Sequence, residues 1–163
     1  MLVLLVAFSP TAADATCPSF DFEDESIGAC PTGWTCSGEA TVRNPASMPS
    51  GCPIDSGAQG NRVLSIGCDT SQGMATSSAF TLPSNIASLR YLRSGGANSP
   101  SGIYVKRADD HTVIGQSVNG RDTDNMFSVS ISLAGHGGRS VYIEGRDEVS
   151  SSWGKVAVDD FRL

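Results

Sequence analysis

Alternation of apolar and polar residues is the feature that most limits what this chain can fold into. The clearest example is residues 127–133, Phe-Ser-Val-Ser-Ile-Ser-Leu, where the apolar side chains share one face of a strand and the serines share the other. One buried and one solvated face are typical of an antiparallel sheet. Further strands are predicted at 19–24, 39–43, 62–66, 78–82, 87–93, 102–107, 112–117, 140–145 and 155–163.

Turn-forming residues separate these segments, and helical periodicity is nearly absent. Gly95-Gly-Ala-Asn98, Asn119-Gly120 and Gly135-His-Gly-Gly138 are such turns, and residues 108–111 predict a hairpin. About ten short strands at this spacing predict an all-β antiparallel sandwich. Strands at both termini favour a jelly roll, in which the first and last strands commonly lie side by side. Residues 44–61, rich in Pro, Ser and Gly, are predicted to form a long surface loop tied down by Cys52.

The length of 163 residues fits one domain, preceded by a targeting segment. Residues 1–8 are apolar, and Ala13-Asp-Ala15 fits the small-x-small pattern of signal-peptide cleavage. We therefore expect a signal peptide or its remnant at 1–15 and a domain at 16–163, although the usual positive N-terminal charge is missing. A buried first strand is the alternative. The apolar run is too short to span a bilayer, so we expect a secreted protein.

All five cysteines lie after that cleavage site, which in a secreted protein predicts disulfides. Cys30 and Cys36 close a small loop suited to a local bridge. Cys52 and Cys68 flank a turn and a strand and form a plausible second pair. Cys17 is left free, differently paired or joined to a partner outside this sequence. Zinc is disfavoured because no Cys-x-x-Cys exists and the two histidines are far away.

The charge balance and the missing motifs exclude several functions. The chain has 17 acidic against 11 basic residues and no basic cluster, which argues against nucleic acid and against basic membrane-surface binding. The sequence contains no Gly-x-Ser-x-Gly, no His-Glu-x-x-His and no phosphate loop. We therefore expect a non-enzymatic protein.

Acidic residues interrupt apolar strands at both ends of the predicted domain. Asp21, Glu23 and Asp24 alternate with phenylalanines, and Asp159 and Asp160 stand between Val158 and Phe161. Carboxylates are depleted in strands and are costly to bury without a partner. If the two ends pair, several oxygen ligands converge at one place. The alternative is a solvated acidic strand edge that resists aggregation.

Several motifs, in this order, resemble known families. Phe22-Glu-Asp24, Gly33-Trp34 and Gly60-Asn-Arg-Val-Leu-Ser-Ile-Gly67 resemble the opening of galactose-binding-like β-sandwich modules. Tyr91-Leu-Arg-Ser-Gly-Gly-Ala-Asn98 and Trp153-Gly-Lys-Val-Ala-Val-Asp-Asp160 resemble the carbohydrate-binding modules attached to secreted glycoside hydrolases. The closing Val158-Asp-Asp-Phe161 also resembles the end of MAM-type adhesion domains.

The resemblance implies a structural calcium ion that joins the start of the domain to its end. That role falls on Glu23 and Asp159, with Asp21 and Asp160 as neighbours. Calcium takes about six to eight oxygen ligands, so several carboxylates with backbone carbonyls suit it.

The resemblance also implies a sugar site built on loops. Its candidate residues are Asn98, whose amide suits two neighbouring hydroxyls, Trp153 as an aromatic platform, and Arg121 and Asp147 on loops near that end. Core packing is the alternative for Trp153, and a simple turn is the alternative for the loop with Asn98. Lys155 replaces the histidine usual in the family, a departure that bears on ligand preference.

These expectations together describe a secreted, non-catalytic carbohydrate-binding module with a glycan or polysaccharide as its partner. The competing hypothesis is a MAM-like extracellular adhesion domain that binds protein and no sugar.

Overall fold

A computed structural model describes residues 20–97, 100–118 and 120–163 of the chain. These residues form eleven β-strands and one short 3-10 turn, Pro45–Ser47. The strands are β1 Trp34–Gly38, β2 Thr41–Arg43, β3 Val63–Gly67, β4 Gly73–Ser77, β5 Phe80–Thr81, β6 Ser88–Gly95, β7 Gly102–Arg107, β8 Val113–Ser117, β9 Thr123–Ser132, β10 Ser140–Asp147 and β11 Val156–Arg162.

The strands form two antiparallel sheets that pack face to face, which confirms the predicted all-β sandwich. Sheet A has the order β1-β4-β10-β7-β8, with β5 also paired to β10, and sheet B has the order β2-β3-β11-β6-β9. The alternation seen in the sequence sets the core because every second residue points inward. Ile103, Ile143 and Val158 are examples of fully buried inward-facing residues.

Part of the outer face of sheet B, at β3 and the start of β11, is covered by the loop predicted at 44–61. Met48, Ile54 and Ala58 from this loop pack against Val63 and Ala157, which point away from the main core. Met126 also joins this smaller apolar cluster. The Cys52–Cys68 disulfide links the loop to the segment that follows β3.

Both predicted disulfides, Cys30–Cys36 and Cys52–Cys68, are present. The predicted hairpin is also confirmed, because β7 and β8 pair on either side of residues 108–112. Cys17 and the predicted signal segment at 1–15 lie outside the described residues. No helix among the described residues is long and apolar enough to cross a membrane.

The predicted strand at 19–24 is wrong for the part that the structure describes. Phe22 adopts a φ of 60°, and the Glu25 amide donates to the Phe22 carbonyl at 3.0 Å, so the chain turns. The two ends of the domain therefore meet through one backbone hydrogen bond, from the Phe161 amide to the Phe20 carbonyl at 2.9 Å. Ring contacts of Phe161 with Phe20 and Phe22 complete this junction.

Strands β1 and β4 were not predicted, and the strand predicted at 78–82 shortens to Phe80–Thr81. Trp-Thr-Cys-Ser-Gly and Gly-Met-Ala-Thr-Ser lack clear apolar alternation and each carries a glycine, which lowers strand propensity. Tertiary contacts override this preference: β1 pairs with β4, β4 pairs with β10, and Cys36 ties β1 to Cys30.

Candidate functional site

Two of the predicted metal ligands, Glu23 and Asp159, converge on one short backbone segment. The Asn61 and Arg62 amides donate to the Glu23 carboxylate at 2.9–3.0 Å, and the Gln59 amide donates to Asp159 Oδ2 at 2.8 Å. Between them, Gly60 has a φ of +70°, and a Cβ there would lie 2.4 Å from the Glu23 carboxyl carbon. Segment 59–62 therefore wraps both acids, and only glycine fits at position 60.

Asp159 is fully buried and has one oxygen without a partner. Within the described part of the chain, its Oδ1 atom is inaccessible to solvent and makes no hydrogen bond. Burial, aided by the neighbouring Asp160 and Glu23 carboxylates, raises the pKa of Asp159 to about 7. A buried carboxylate with a spare oxygen and acidic neighbours lacks a cation, so Asp159 and Glu23 fit calcium chemistry.

The other two predicted metal ligands make different contacts. Asp21 is exposed and accepts the Glu23 amide at 3.4 Å, while Asp160 binds Arg162 through both carboxylate oxygens at 2.7–3.0 Å. In residues 20–97, 100–118 and 120–163, no group of three or more His, Cys, Asp or Glu side chains is arranged to hold a metal. A calcium ion at Glu23 and Asp159 would therefore depend on backbone carbonyls and water for the remaining ligands.

The predicted sugar-binding residues belong to a different region, which we call the loop end: segments 94–97, 120–123 and 147–155. Strand pairing brings these segments together, because Val156 lies opposite Gly95 and Gly95 lies opposite Thr123. The Gly96 amide donates to the Lys155 carbonyl at 3.2 Å. The Arg121 amide donates to the Gly95 carbonyl at 3.3 Å.

Trp153 is half-buried at the loop end, and it stands on a left-handed backbone with φ = 60°. A large residue rarely adopts this conformation, and such strain clusters at functional sites. The Lys155 ammonium lies 5.5 Å from the centre of the Trp153 ring. Lys155 is otherwise buried, donating to the Pro53 carbonyl at 2.8 Å and pairing with Asp124.

Arg121 is exposed, and its guanidinium carbon lies 4.4 Å from the centre of the Phe127 ring. This cation–π contact orients a charged donor group at the loop end. Asn98, the remaining predicted ligand residue, lies outside the described residues.

Asp147 lies at the loop end too, but it is not on a loop. It is the last residue of β10 and only 1% exposed, because its side chain points between the sheets. Its Oδ1 atom accepts the Val149 amide at 3.1 Å and the Ser101 hydroxyl at 3.4 Å. Burial raises the pKa of Asp147 to about 7, opposed in part by nearby Arg93. The family resemblance had placed this residue on a loop, after a strand predicted to end at residue 145, whereas β10 continues to Asp147.

Arg93 is the main buried charge that sequence reasoning missed. It is fully buried in β6, and it donates to the Ser117 carbonyl at 3.1 Å and to the Gly96 carbonyl at 2.9 Å. Burial lowers the pKa of Arg93, and the nearby Tyr91 and Asp147 oppose that shift. Leu89, Tyr91 and Arg93 alternate inward along β6, so strand periodicity alone could have located it.

The outer face of sheet A carries a second group of residues that the sequence interpretation did not select. Lys106 Nζ pairs with Glu144 at 2.8 Å, and Arg146 also pairs with Glu144. Although burial alone would raise it, these two cations hold the pKa of Glu144 below its usual value. The Arg146 guanidinium carbon lies 5.0 Å from the Tyr104 ring centre.

No protein-family model and no curated protein matches this sequence. Among solved structures, the K2 cleaved adhesin domain of Lys-gingipain is similar over 90% of this chain and 98% of its own, with 13% identity and a TM-score of 0.54. The K3 cleaved adhesin domain of Lys-gingipain from Porphyromonas gingivalis W83 is similar over 87% and 95%, with 13% identity and a TM-score of 0.52.

A carbohydrate-binding module, TmCBM61 in complex with β-1,4-galactotriose, is also similar over 86% of this chain and 91% of its own. Its identity is 17% and its TM-score is 0.41, which is too low to carry an argument. At these identities the comparisons show the fold alone. The two adhesin domains, whose TM-scores exceed 0.5, confirm the predicted β-sandwich fold.

Proposed function

We propose that this chain is a secreted, non-catalytic glycan-binding module that holds its ligand at the loop end. Trp153 supplies the aromatic surface for the C–H groups of a sugar ring, and Arg121 donates to its hydroxyls. Asn98, predicted from the sequence on the adjoining loop, supplies a further amide.

The observation that carries this proposal is the placement of Trp153. A partly exposed indole on a strained backbone lies beside a lysine cation and at the same end as an exposed arginine. Aromatic rings flanked by a few oriented polar groups are the usual means of binding sugars. The two disulfides support an extracellular location.

The positions of the buried acids support binding over hydrolysis. Glycoside hydrolysis generally uses two carboxyl groups that flank one bond, about 5–9.5 Å apart. Asp147 and Asp159, the two buried carboxyls whose pKa rises to about 7, belong to different sheets, with Asp147 at the end of β10 and Asp159 in the middle of β11. Each also lies below the surface, where a glycosidic bond cannot reach it.

We further propose that Glu23 and Asp159 hold a structural calcium ion. Their convergence on segment 59–62 and the unpartnered Asp159 Oδ1 atom support this assignment. Bound calcium would neutralise the adjacent carboxylates, and the two residues would link the start of the domain to its last strand. This ion would stabilise the fold and would not contact the sugar.

Adhesion to an extracellular protein is a second candidate function. It is favoured by the likeness to cleaved adhesin domains, whose TM-scores exceed 0.5. Under that hypothesis the chain binds no sugar, and its partner surface is a protein.

A glycan array followed by calorimetric titration of the strongest neutral ligand tests the proposed function. We expect W153A to weaken binding by about tenfold or more, because a central tryptophan dominates such contacts. R121Q and N98A should weaken it less. The matched control is Y142A, which removes an aromatic ring from the outer face of sheet A.

Two results would overturn the sugar hypothesis in this form. Equal affinity for W153A and the unmodified protein would exclude the loop end as the site. The adhesion domain would be favoured instead if no glycan on the array binds and the protein self-associates or captures a purified extracellular protein.

A further inference from the structure

A groove on the outer face of sheet B lies away from the loop end, and one of its walls includes Gln59 and Asp160 beside the proposed calcium site. It consists of two adjoining cavities of about 490 and 290 Å³. Arg90 and Arg162 line both, so the two arginines form their shared wall. The larger cavity is otherwise lined by Asn85, Ser88 and apolar residues. Among the described parts of the chain no acidic residue lines the larger cavity, and Asp160, which pairs with Arg162, lines the smaller one.

The two arginines are direct cross-strand neighbours, since Arg162 of β11 lies opposite Arg90 of β6. Like charges placed opposite one another destabilise a sheet. Arg162 is compensated by Asp160, which occupies its Nε and Nη2 atoms and leaves Nη1 available. Within the described residues, the Arg90 guanidinium is exposed and has no hydrogen bond or ion pair.

An uncompensated arginine beside a second arginine, in a concave site with an amide and a hydroxyl, is suited to an anionic group. A guanidinium binds a planar carboxylate or a sulfate through paired N–H donors. Ser128 lines the second cavity and adds a hydroxyl for a neutral part of the ligand. The combined volume matches a small-ligand site of roughly 300–1,000 Å³.

We propose that this groove binds the anionic group of an acidic saccharide, with Arg90 as the principal contact and Arg162 as the second. The choice of a saccharide rests on the proposed function, whereas the preference for negative charge rests on the groove alone. This site is separate from the loop end, so one chain would hold two regions of an acidic polysaccharide.

Calorimetric titration with three probes tests the proposal: trigalacturonate, a sulfated galacto-oligosaccharide and neutral galactotriose. We expect at least one acidic probe to bind more tightly than galactotriose, and its affinity to fall between low and physiological salt. R90Q should weaken the acidic probe by about tenfold or more, because charge-assisted hydrogen bonds are lost. The carboxylate and sulfate probes show which acid the groove prefers.

R107Q is the matched control, because it removes the same charge from sheet A. Three outcomes with the acidic probes would contradict the proposal. Equal effects of R90Q and R107Q, or no binding of either acidic probe at millimolar concentration, would overturn the proposal. Loss of acidic binding in W153A but not in R90Q would overturn it as well, by moving the anion to the loop end.

The neutral arm separates this proposal from the proposed function. If neutral sugars bind in a way that depends on Trp153 and no acidic probe binds at Arg90, the proposed function is supported and the groove proposal is wrong. If acidic probes bind in a way that depends on Arg90 and no neutral sugar binds, the groove proposal is supported and the loop end is not a sugar site.

Discussion

Asp147 and Asp159 can be compared directly, because both are buried aspartates. Asp147 belongs to β10 and Asp159 to β11, the strands of sheets A and B that come last in the chain. Each has one carboxylate oxygen without a hydrogen bond among the described residues, and burial raises the pKa of each to about 7. Their charged neighbours differ. Asp147 lies near one acid, Asp69, and one buried cation, Arg93, whereas Asp159 lies near two acids, Asp160 and Glu23.

The difference shows that the role of a buried acid depends on the charged and hydrogen-bonding groups around it. At the loop end, hydrogen bonds from the Val149 amide and the Ser101 hydroxyl, together with the nearby Arg93, partly offset the burial of Asp147. Near segment 59–62 the chain supplies backbone amides and more negative charge to Asp159, and this is the basis for the calcium ion that we propose there.

Removing Arg93 should have the largest effect on this comparison. R93M would remove a buried positive charge near Asp147 and leave the Ser117 and Gly96 carbonyls without their donor. We expect a loss of about 3–5 kcal/mol in the free energy of unfolding, measured by denaturant titration, because two hydrogen bonds from a charged donor are lost. R93M combined with D147N should recover part of that loss. No recovery would mean that Asp147 and Arg93 are not coupled.

Calcium should give the next largest effect, and only at Asp159. At pH 8, calcium at about one hundred times its Kd should stabilise the protein by about 2.7 kcal/mol, or raise Tm by roughly 5–10 °C over EDTA. D159N should lose this response and D147N should keep it. A Tm that is unchanged by calcium and EDTA would contradict the proposed ion.

The pH dependence of the calcium-free protein should reveal the raised pKa of Asp159. The folded state holds this proton with a pKa of about 7, against 3.8 for the ordinary carboxyl, so its contribution is greatest at acid pH. Stability should fall as pH rises between those values, by about 2 kcal/mol for this group from pH 5 to 6.5. In EDTA, D159N should have a flatter profile than the unmodified protein. Identical slopes would exclude Asp159 as the titrating group.

The smallest expected effect concerns Gly60, whose missing side chain makes room for Glu23. G60A should cost about 1–2 kcal/mol and weaken calcium binding, because a Cβ would meet the Glu23 carboxylate. G28A is the matched control: Gly28 has a similar φ of +84° but nothing within 4 Å of an added Cβ. If both variants keep the same calcium affinity, the packing of Gly60 on Glu23 does not shape the metal site.

Much of the fold could be predicted because the alternation of apolar and polar residues along a strand indicates which side chains are buried. Strand β9 has the strict pattern at 127–133, and the two disulfides follow from cysteine spacing near turns. Strands β1 and β4 could not be found, because their stability comes from pairing with each other and not from their own residues. The turn at Phe22 could not be predicted for a related reason: its positive φ comes from packing in the fold and is not a preference of phenylalanine.

The candidate sites were predictable to a smaller degree. Adjacent acids in the last strand drew attention to both Asp159 and Asp160, but the sequence did not separate the buried Asp159 from Asp160, which pairs with Arg162. Asp147 and Arg93 approach each other only once β6 and β10 are placed in opposite sheets. Such long-range proximity has no local signal in one sequence.

We propose that the acids near segment 59–62 stabilise the domain by binding calcium, whereas the loop end binds the glycan. The most direct test is one amide NMR titration, first with calcium and then with the best neutral glycan. We predict that calcium shifts amides at 21–24, 55–62 and 159–160, and that the glycan shifts amides at 94–97, 120–123 and 151–155. Glycan-induced shifts at the calcium segment, or confined to the outer face of sheet A around Tyr104 and Tyr142, would contradict it.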